Sequence, residues 1–193
     1  MRTYADGRIA RLAQNLKRAR LAPEVVDHIM AGGEALSKGA ANEEVAIWMK
    51  GAMERMDASL DRETRYAVRQ GCACCLGGKR REQARAVAAN YATLEERIRA
   101  IDETRMCYFQ NVRMLDDGRI RLSYLPDGWD HYPCPCLRGT DEILSITYCY
   151  CCGGHVKHHM ETALSLHLEV EVVSSSLSSG GKLPCVFDLT IVE

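Results

Sequence analysis

The chain has 193 residues, of which 47% are apolar, 26% charged and 6% aromatic; 25 Lys and Arg against 26 Asp and Glu leave a formal net charge of -1. A chain of this length buries about 70% of the surface its unfolded form exposes and folds without covalent staples. The balanced charge, with no long basic run, excludes non-specific nucleic-acid binding. The segment Met1–Arg8 carries charge where a signal peptide needs an apolar run, and no stretch is apolar enough to span a bilayer, so the expectation is a cytoplasmic protein with no membrane partner.

The first half reads as helices. From Gly7 to Arg20, Ile9, Leu12, Ala13 and Leu16 recur on one helical face while Arg8, Arg11, Lys17 and Arg18 supply the wet one. Pro23 suits the first turn of a second, short helix that runs to Met30 and is ended by Gly32-Gly33. Asn42 is the expected N-cap of a third helix carrying Val45, Ile47, Trp48, Met49, Ala52, Met53 and Met56, a stripe that reads as packing core. Asp61 is placed to cap a fourth. The segment from Gln70 to Arg81 then interrupts the pattern with Cys72, Cys74 and Cys75 among glycines, before a long helix expected from Lys79 to Ile101.

After Asp102 the character changes. Met106–Met114 and Arg119–Tyr124, on either side of Asp116-Asp117-Gly118, predict a β-hairpin. From Pro126 to Thr140 the chain is irregular and holds Tyr132-Pro-Cys-Pro-Cys-Leu137; a short strand is expected over Ile143–Tyr148. Gly153-Gly154 reads as a tight turn after Cys149, Cys151 and Cys152, followed by a helix to about Ser165. Alternation at Leu168, Val170 and Val172, and again at Cys185, Phe187, Leu189 and Ile191, predicts two closing strands around a Ser-rich loop. The whole reads as one α+β domain over 1–193, with helices in 1–101 packed on a small antiparallel sheet in 102–193.

Ten cysteines, eight of them in three groups, are the chemical signature of the chain. In a reducing compartment, clustered thiols bind metal or do redox chemistry rather than form disulfides. Cys72 and Cys75 echo Cys149 and Cys152 as paired Cys-x-x-Cys steps, the usual way to deliver four soft donors to zinc. The compact alternative is Cys134, Cys136 and Cys149 with Cys151 or Cys152, because only a short loop separates them. An iron–sulfur cluster fits less well, since no Cys-x-x-Cys-x-x-Cys run is present. A thiol at a helix start has its pKa lowered, which marks Cys151 and Cys152 as candidate nucleophiles with His155 as proton shuttle. Lys79 and Arg80 are candidate contacts for an anionic substrate, and Cys185 reads as a buried small hydrophobe.

Tyr148-Cys-Tyr-Cys-Cys-Gly-Gly-His-Val-Lys-His-His159, the Val170–Gly181 strand and Ser/Gly turn, and Pro184-Cys-Val-Phe187 resemble uncharacterised cysteine-rich proteins of anaerobic prokaryotes. These are similar to the L-2-amino-thiazoline-4-carboxylate hydrolase-like family and, more distantly, to the 4-vinyl reductase domain. The resemblance covers about residues 102–193. It implies helices packed on an antiparallel sheet with a small-molecule pocket between them, and Cys149, Cys151 and Cys152 as catalytic candidates.

Two functions follow as expectations. One is a zinc-dependent enzyme, a hydrolase acting on a C–N bond of a sulfur-containing or carboxylated small molecule. The other is a ligand-binding or sensor domain whose cysteine-rich zinc site is structural. Either leaves a homodimer open.

Overall fold

The computed structural model describes residues 3–125 and 128–192. Met1, Arg2, Pro126, Asp127 and Glu193, and with them the start of the charged N-terminal segment and the first two residues of the irregular stretch, lie outside the described residues.

Four helices come first: α1 (Gly7–Arg18), α2 (Pro23–Ile29), α3 (Asn42–Ser59) and α4 (Arg62–Gly71). Asp6 caps α1 by accepting from the Arg8 and Ile9 amides, and Asp61 caps α4 through the Thr64 amide at 2.7 Å. The cap of α3 is Ala41 and not Asn42. The Glu44 carboxylate reaches back to the Ala41 amide at 2.9 Å, leaving Asn42 in the first turn, where its side chain accepts from Arg8 and donates to the Arg138 carbonyl. The apolar stripe of α3 packs inward at Val45, Met49, Ala52, Met53 and Met56, whereas Ile47 is 56% exposed.

The single helix expected from Lys79 to Ile101 is two, α5 (Gly78–Asn90) and α6 (Leu94–Glu103). The break is a capping box: the Thr93 hydroxyl accepts from the Glu96 amide and the Glu96 carboxylate accepts from the Thr93 amide. Those mutual bonds satisfy backbone donors that a continuous helix would have used internally.

The hairpin strands are β1 (Gln110–Met114) and β2 (Ile120–Ser123), followed by α7 (Ile146–Leu164), β3 (His167–Ser174) and β4 (Val186–Val192). The sheet is antiparallel throughout, in the order β1-β2-β4-β3. The strand expected at Ile143–Tyr148 is absent; Ser145 caps a helix there instead, accepting from the Thr147 amide. Along β4, Phe187 and Leu189 face the core, while Asp188 faces the other way and holds Arg119 and Arg121. One apolar core runs from Ile9 on α1 through the methionines of α3 to Leu189 on β4, so helices pack on a small sheet in an α+β arrangement. Among the described residues no helix is long and apolar enough to cross a membrane.

Candidate metal centre and ligand cavity

Helix α7 organises the site. Gly153-Gly154 is not a turn but the middle of this helix, and at Gly154 the neighbouring backbone lies too close for a side chain, whereas Gly153 has room for one. A Cβ added at Gly154 would lie 2.9 Å from the Gln70 carbonyl carbon and Cα, so α4 and α7 cross backbone against backbone at this point. Cys151 and Cys152 therefore sit inside a helix, one turn and more past its start, and not at its free amide end as the sequence predicts. What tunes these thiols comes chiefly from side chains.

It comes from two sulfurs and an arginine. The Sγ atoms of Cys136, Cys151 and Cys152 all lie within 4.8 Å of one another, and Cys136 and Cys152 are in thiol contact at 3.3 Å. Hydrogen bonds from Cys136 and Cys152 pull the Cys151 thiol well below the ordinary range, helped by the Arg69 guanidinium, while the same bonds and burial push Cys136 and Cys152 up. Within the trio Cys151 is thus the thiol that loses its proton most readily, with Cys136 and Cys152 as the S–H donors beside it.

Arg69 is 2% exposed on α4. Its Nη2 donates to the Tyr148 carbonyl at 3.0 Å and its guanidinium lies over the Tyr148 ring, yet its Nε has no partner and no carboxylate pairs with it among the described residues. A buried cation without a counter-charge costs several kcal/mol. The Cys151 thiol, its pKa lowered, is the group placed to offset it.

The sequence offers Cys134, Cys136 and Cys149 with either Cys151 or Cys152; the structure brings both of the latter together with Cys136 and turns Cys149 away. Cys149 faces the Ser175 hydroxyl at 2.8 Å in a buried spot that raises its pKa. Cys134 accepts from the Leu137 amide at 3.4 Å and stands outside the trio. The Ser-rich segment, which reads as a loop tip, is in fact partly interior: Ser175 and Ser176 are buried, one against Cys149 and the other against Cys185.

Above the trio opens a cavity of about 870 Å³, lined by every cysteine except Cys149. The first group reaches it through a clasp. His155, His158 and His159 of α7 bind the carbonyls of Cys74, Leu76 and Cys75 at 2.9, 3.1 and 3.0 Å, fixing three consecutive peptide units of the 72–76 segment against the helix. Because a carbonyl can only accept, Nδ1 of His155 carries the proton and its Nε2 keeps the lone pair. Burial holds this imidazole neutral, lowering its pKa to about 4. His155 lines the cavity; His158 and His159 do not.

Arg80 also lines the cavity, its guanidinium over the Tyr108 ring, but Lys79 is exposed and is not part of the wall. Cys72 accepts a weak bond from Asn15, donates to the Val68 carbonyl, and is held protonated by burial; Cys75 is on the wall in a left-handed backbone conformation. Cys185 is buried as expected, and it additionally faces the cavity.

Sequence reasoning missed Arg69, Arg8, Arg11 and Cys107. Arg69 had a signal, since it precedes Cys72 by one helical turn and so shares its face. Cys107 had none, because its place depends on a left-handed stretch at Arg105, Cys107 and Tyr108.

Residues 12–192 match the family of unknown function DUF6144, and the chain belongs to that family. No curated protein and no solved structure matches it. The match takes in the second half of α1, α2 to α7 and the whole sheet, helical half included.

Proposed function

We propose that this protein binds one soft divalent ion, zinc most simply, through Cys136, Cys151 and Cys152, and uses it on a small molecule admitted to the cavity. The observation that carries this is the trio itself: three sulfurs in mutual reach beside an unpaired buried arginine. Thiolates around one zinc stand about 3.8 Å apart, the tetrahedral edge for Zn–S bonds of about 2.3 Å. The trio is already gathered to nearly that spacing. A cluster spreads its thiolates over separate irons, so sulfurs in direct contact fit a single ion better than an iron–sulfur centre.

Among the described residues no fourth ligand completes the group. Three protein ligands with an open position are the pattern of catalytic zinc, whereas structural zinc takes four. Such an ion lowers the pKa of bound water and polarises a C=N or amide carbon, which is the chemistry of C–N hydrolysis. In this chain Arg69 balances the thiolate charge, the clasped 72–76 segment walls the cavity, and the unprotonated Nε2 of His155 is an acceptor on that wall. A neutral imidazole of such low pKa accepts a hydrogen bond or ligates better than it acts as a base. A small-molecule enzyme is thus favoured over a sensor with a closed structural site.

The test is metal content of protein purified without oxygen, with four serine variants. The expected result is one ion per chain, lost in Cys136→Ser, Cys151→Ser and Cys152→Ser but kept in Cys149→Ser. Metal at trace level in the parent, or kept by Cys152→Ser and lost from Cys149→Ser, overturns the assignment.

A further inference from the structure

The cavity carries arginines from separate parts of the chain and, among the described residues, no acidic residue. Arg11 comes from α1, Arg69 from α4, Arg80 from α5 and Arg138 from the loop before α7. Arg8 is on the wall too, but it is paired with Asp6 at 3.4 Å. Arg11, Arg80 and Arg138 have no ion pair among the described residues.

The charge balance then decides what fits. Three thiolates and one divalent ion sum to -1, which offsets Arg69 and nothing more. The thiols near Arg80 and Arg11 supply no further counter-charge, because burial keeps them protonated: Cys107 is pushed up to about 11, and Cys74 is raised as well. Arg11 and Arg80 therefore line one cavity with no ion-pair partner among the described residues, Arg80 resting only on the face of the Tyr108 ring. Guanidinium groups meet carboxylate and phosphate oxygens through paired N–H donors, and such charge-assisted bonds gain strength where water is excluded.

We infer that the molecule admitted to this cavity is a small dianion, with oxygen-borne negative charge held by Arg11 and Arg80. Dicarboxylates and phosphate monoesters share that chemistry. The inference rests on the cavity being the working site of the proposed function, and it specifies the ligand which that reading leaves open.

Calorimetric titration tests it at low ionic strength, on metal-loaded and metal-free protein, with malonate, inorganic phosphate and acetate as probes. The expected result is that malonate or phosphate binds at least tenfold more tightly than acetate, whichever of the two dianions leads naming the acid group preferred. Arg11→Gln and Arg80→Gln each lose at least tenfold of that affinity, Arg80→Lys recovers part of it, and Arg113→Gln, on an exposed residue of β1 away from the cavity, changes nothing. Dianions no tighter than acetate, or parent-like binding by both glutamine variants, overturn the inference. Because the arginines are unbalanced with or without the ion, dianion binding is expected in the metal-free protein as well. A chain that holds no metal yet binds dianions through Arg11 and Arg80 therefore refutes the metal assignment and keeps this one, while the reverse result refutes this one alone.

Discussion

Two adjacent glycines in α7 give the sharpest test of how the site is positioned, because a methyl group at one should help and at the other should harm. At Gly153 an added Cβ meets the Val170 and Val172 side chains at 3.5 Å, which is ordinary van der Waals contact. Gly153→Ala thus gains the difference in helix propensity, about 1 kcal/mol, with no steric cost. At Gly154 the same methyl group meets the Gln70 backbone, with two atoms at 2.9 Å, well inside the 3.4 Å at which ordinary contact begins. Backbone cannot rotate aside as a side chain can, so α4 must move off α7. Overpacking of this kind costs about 1–3 kcal/mol, and against rigid backbone the upper end applies. After the propensity gain the net loss is about 2 kcal/mol, and the two variants should differ by about 3 kcal/mol. At about 2–4 °C per kcal/mol for a chain of this size, that is a gap in Tm of roughly 6–12 °C, measurable by thermal unfolding under reducing, anaerobic conditions. Moving α4 also moves Arg69, so Gly154→Ala should bind metal more weakly than Gly153→Ala. Equal Tm for the two variants would refute the argument that backbone contact at this crossing sets the register of α4 on α7.

Two other outcomes follow from the titrating groups. His155 has its pKa lowered to about 4 in the folded chain, below the ordinary value of 6.5, so the unfolded state takes up the proton first as pH falls. Stability is then fully present above about pH 6.5 and is lost toward pH 4, by about 3 kcal/mol from this group, with His159 shifted in the same direction. Urea midpoints at pH 7 and pH 4.5 should converge in His155→Gln relative to the parent, and an unchanged pH slope in the variant would count against the clasp. Replacing the unpaired cation, Arg69→Met, should raise the apparent pKa of the Cys151 thiol in an ultraviolet thiolate titration and weaken metal binding by about 10–100-fold, the size of other supporting-residue effects on metal sites; a parent-like titration would show that the sulfur contacts alone hold the thiolate.

How much of this was legible in the sequence depended on the range over which each signal acts. The helices of the first half were readable because apolar periodicity and caps are local: Asp61 before α4 and Pro23 at the start of α2 act within a turn of where they stand. The sheet was readable for the same reason, from alternation at Leu168, Val172, Phe187 and Leu189. The misreading of Gly153-Gly154 has the opposite cause. Paired glycine signals a turn when only the neighbouring sequence is weighed, but here the reason for glycine lies on another helix, at Gln70. Once that crossing is known, the third cysteine group moves from a helix start to a helix interior, and the argument for a lowered pKa narrows to Cys151 and passes from backbone amides to the Cys136 and Cys152 thiols, with Arg69 helping.

The same long-range character explains the site. No single cysteine group could be complete by itself, because a helix separates neighbouring residues by about 100° and Cys149, Cys151 and Cys152 cannot all aim one way. Cys149 consequently goes to Ser175, and Cys136 crosses from the loop to take the third place. That arrangement leaves the Cys151 thiol, with its pKa lowered, near a cation that has no carboxylate partner among the described residues, in a cavity where Arg11, Arg80 and Arg138 also lack an ion pair. Protein interiors rarely retain uncompensated charge. With Arg69 buried and Arg11 and Arg80 half-buried on separate elements, this arrangement supports the proposed metal ion on the sulfurs and, independently of it, the proposed anion on the arginines.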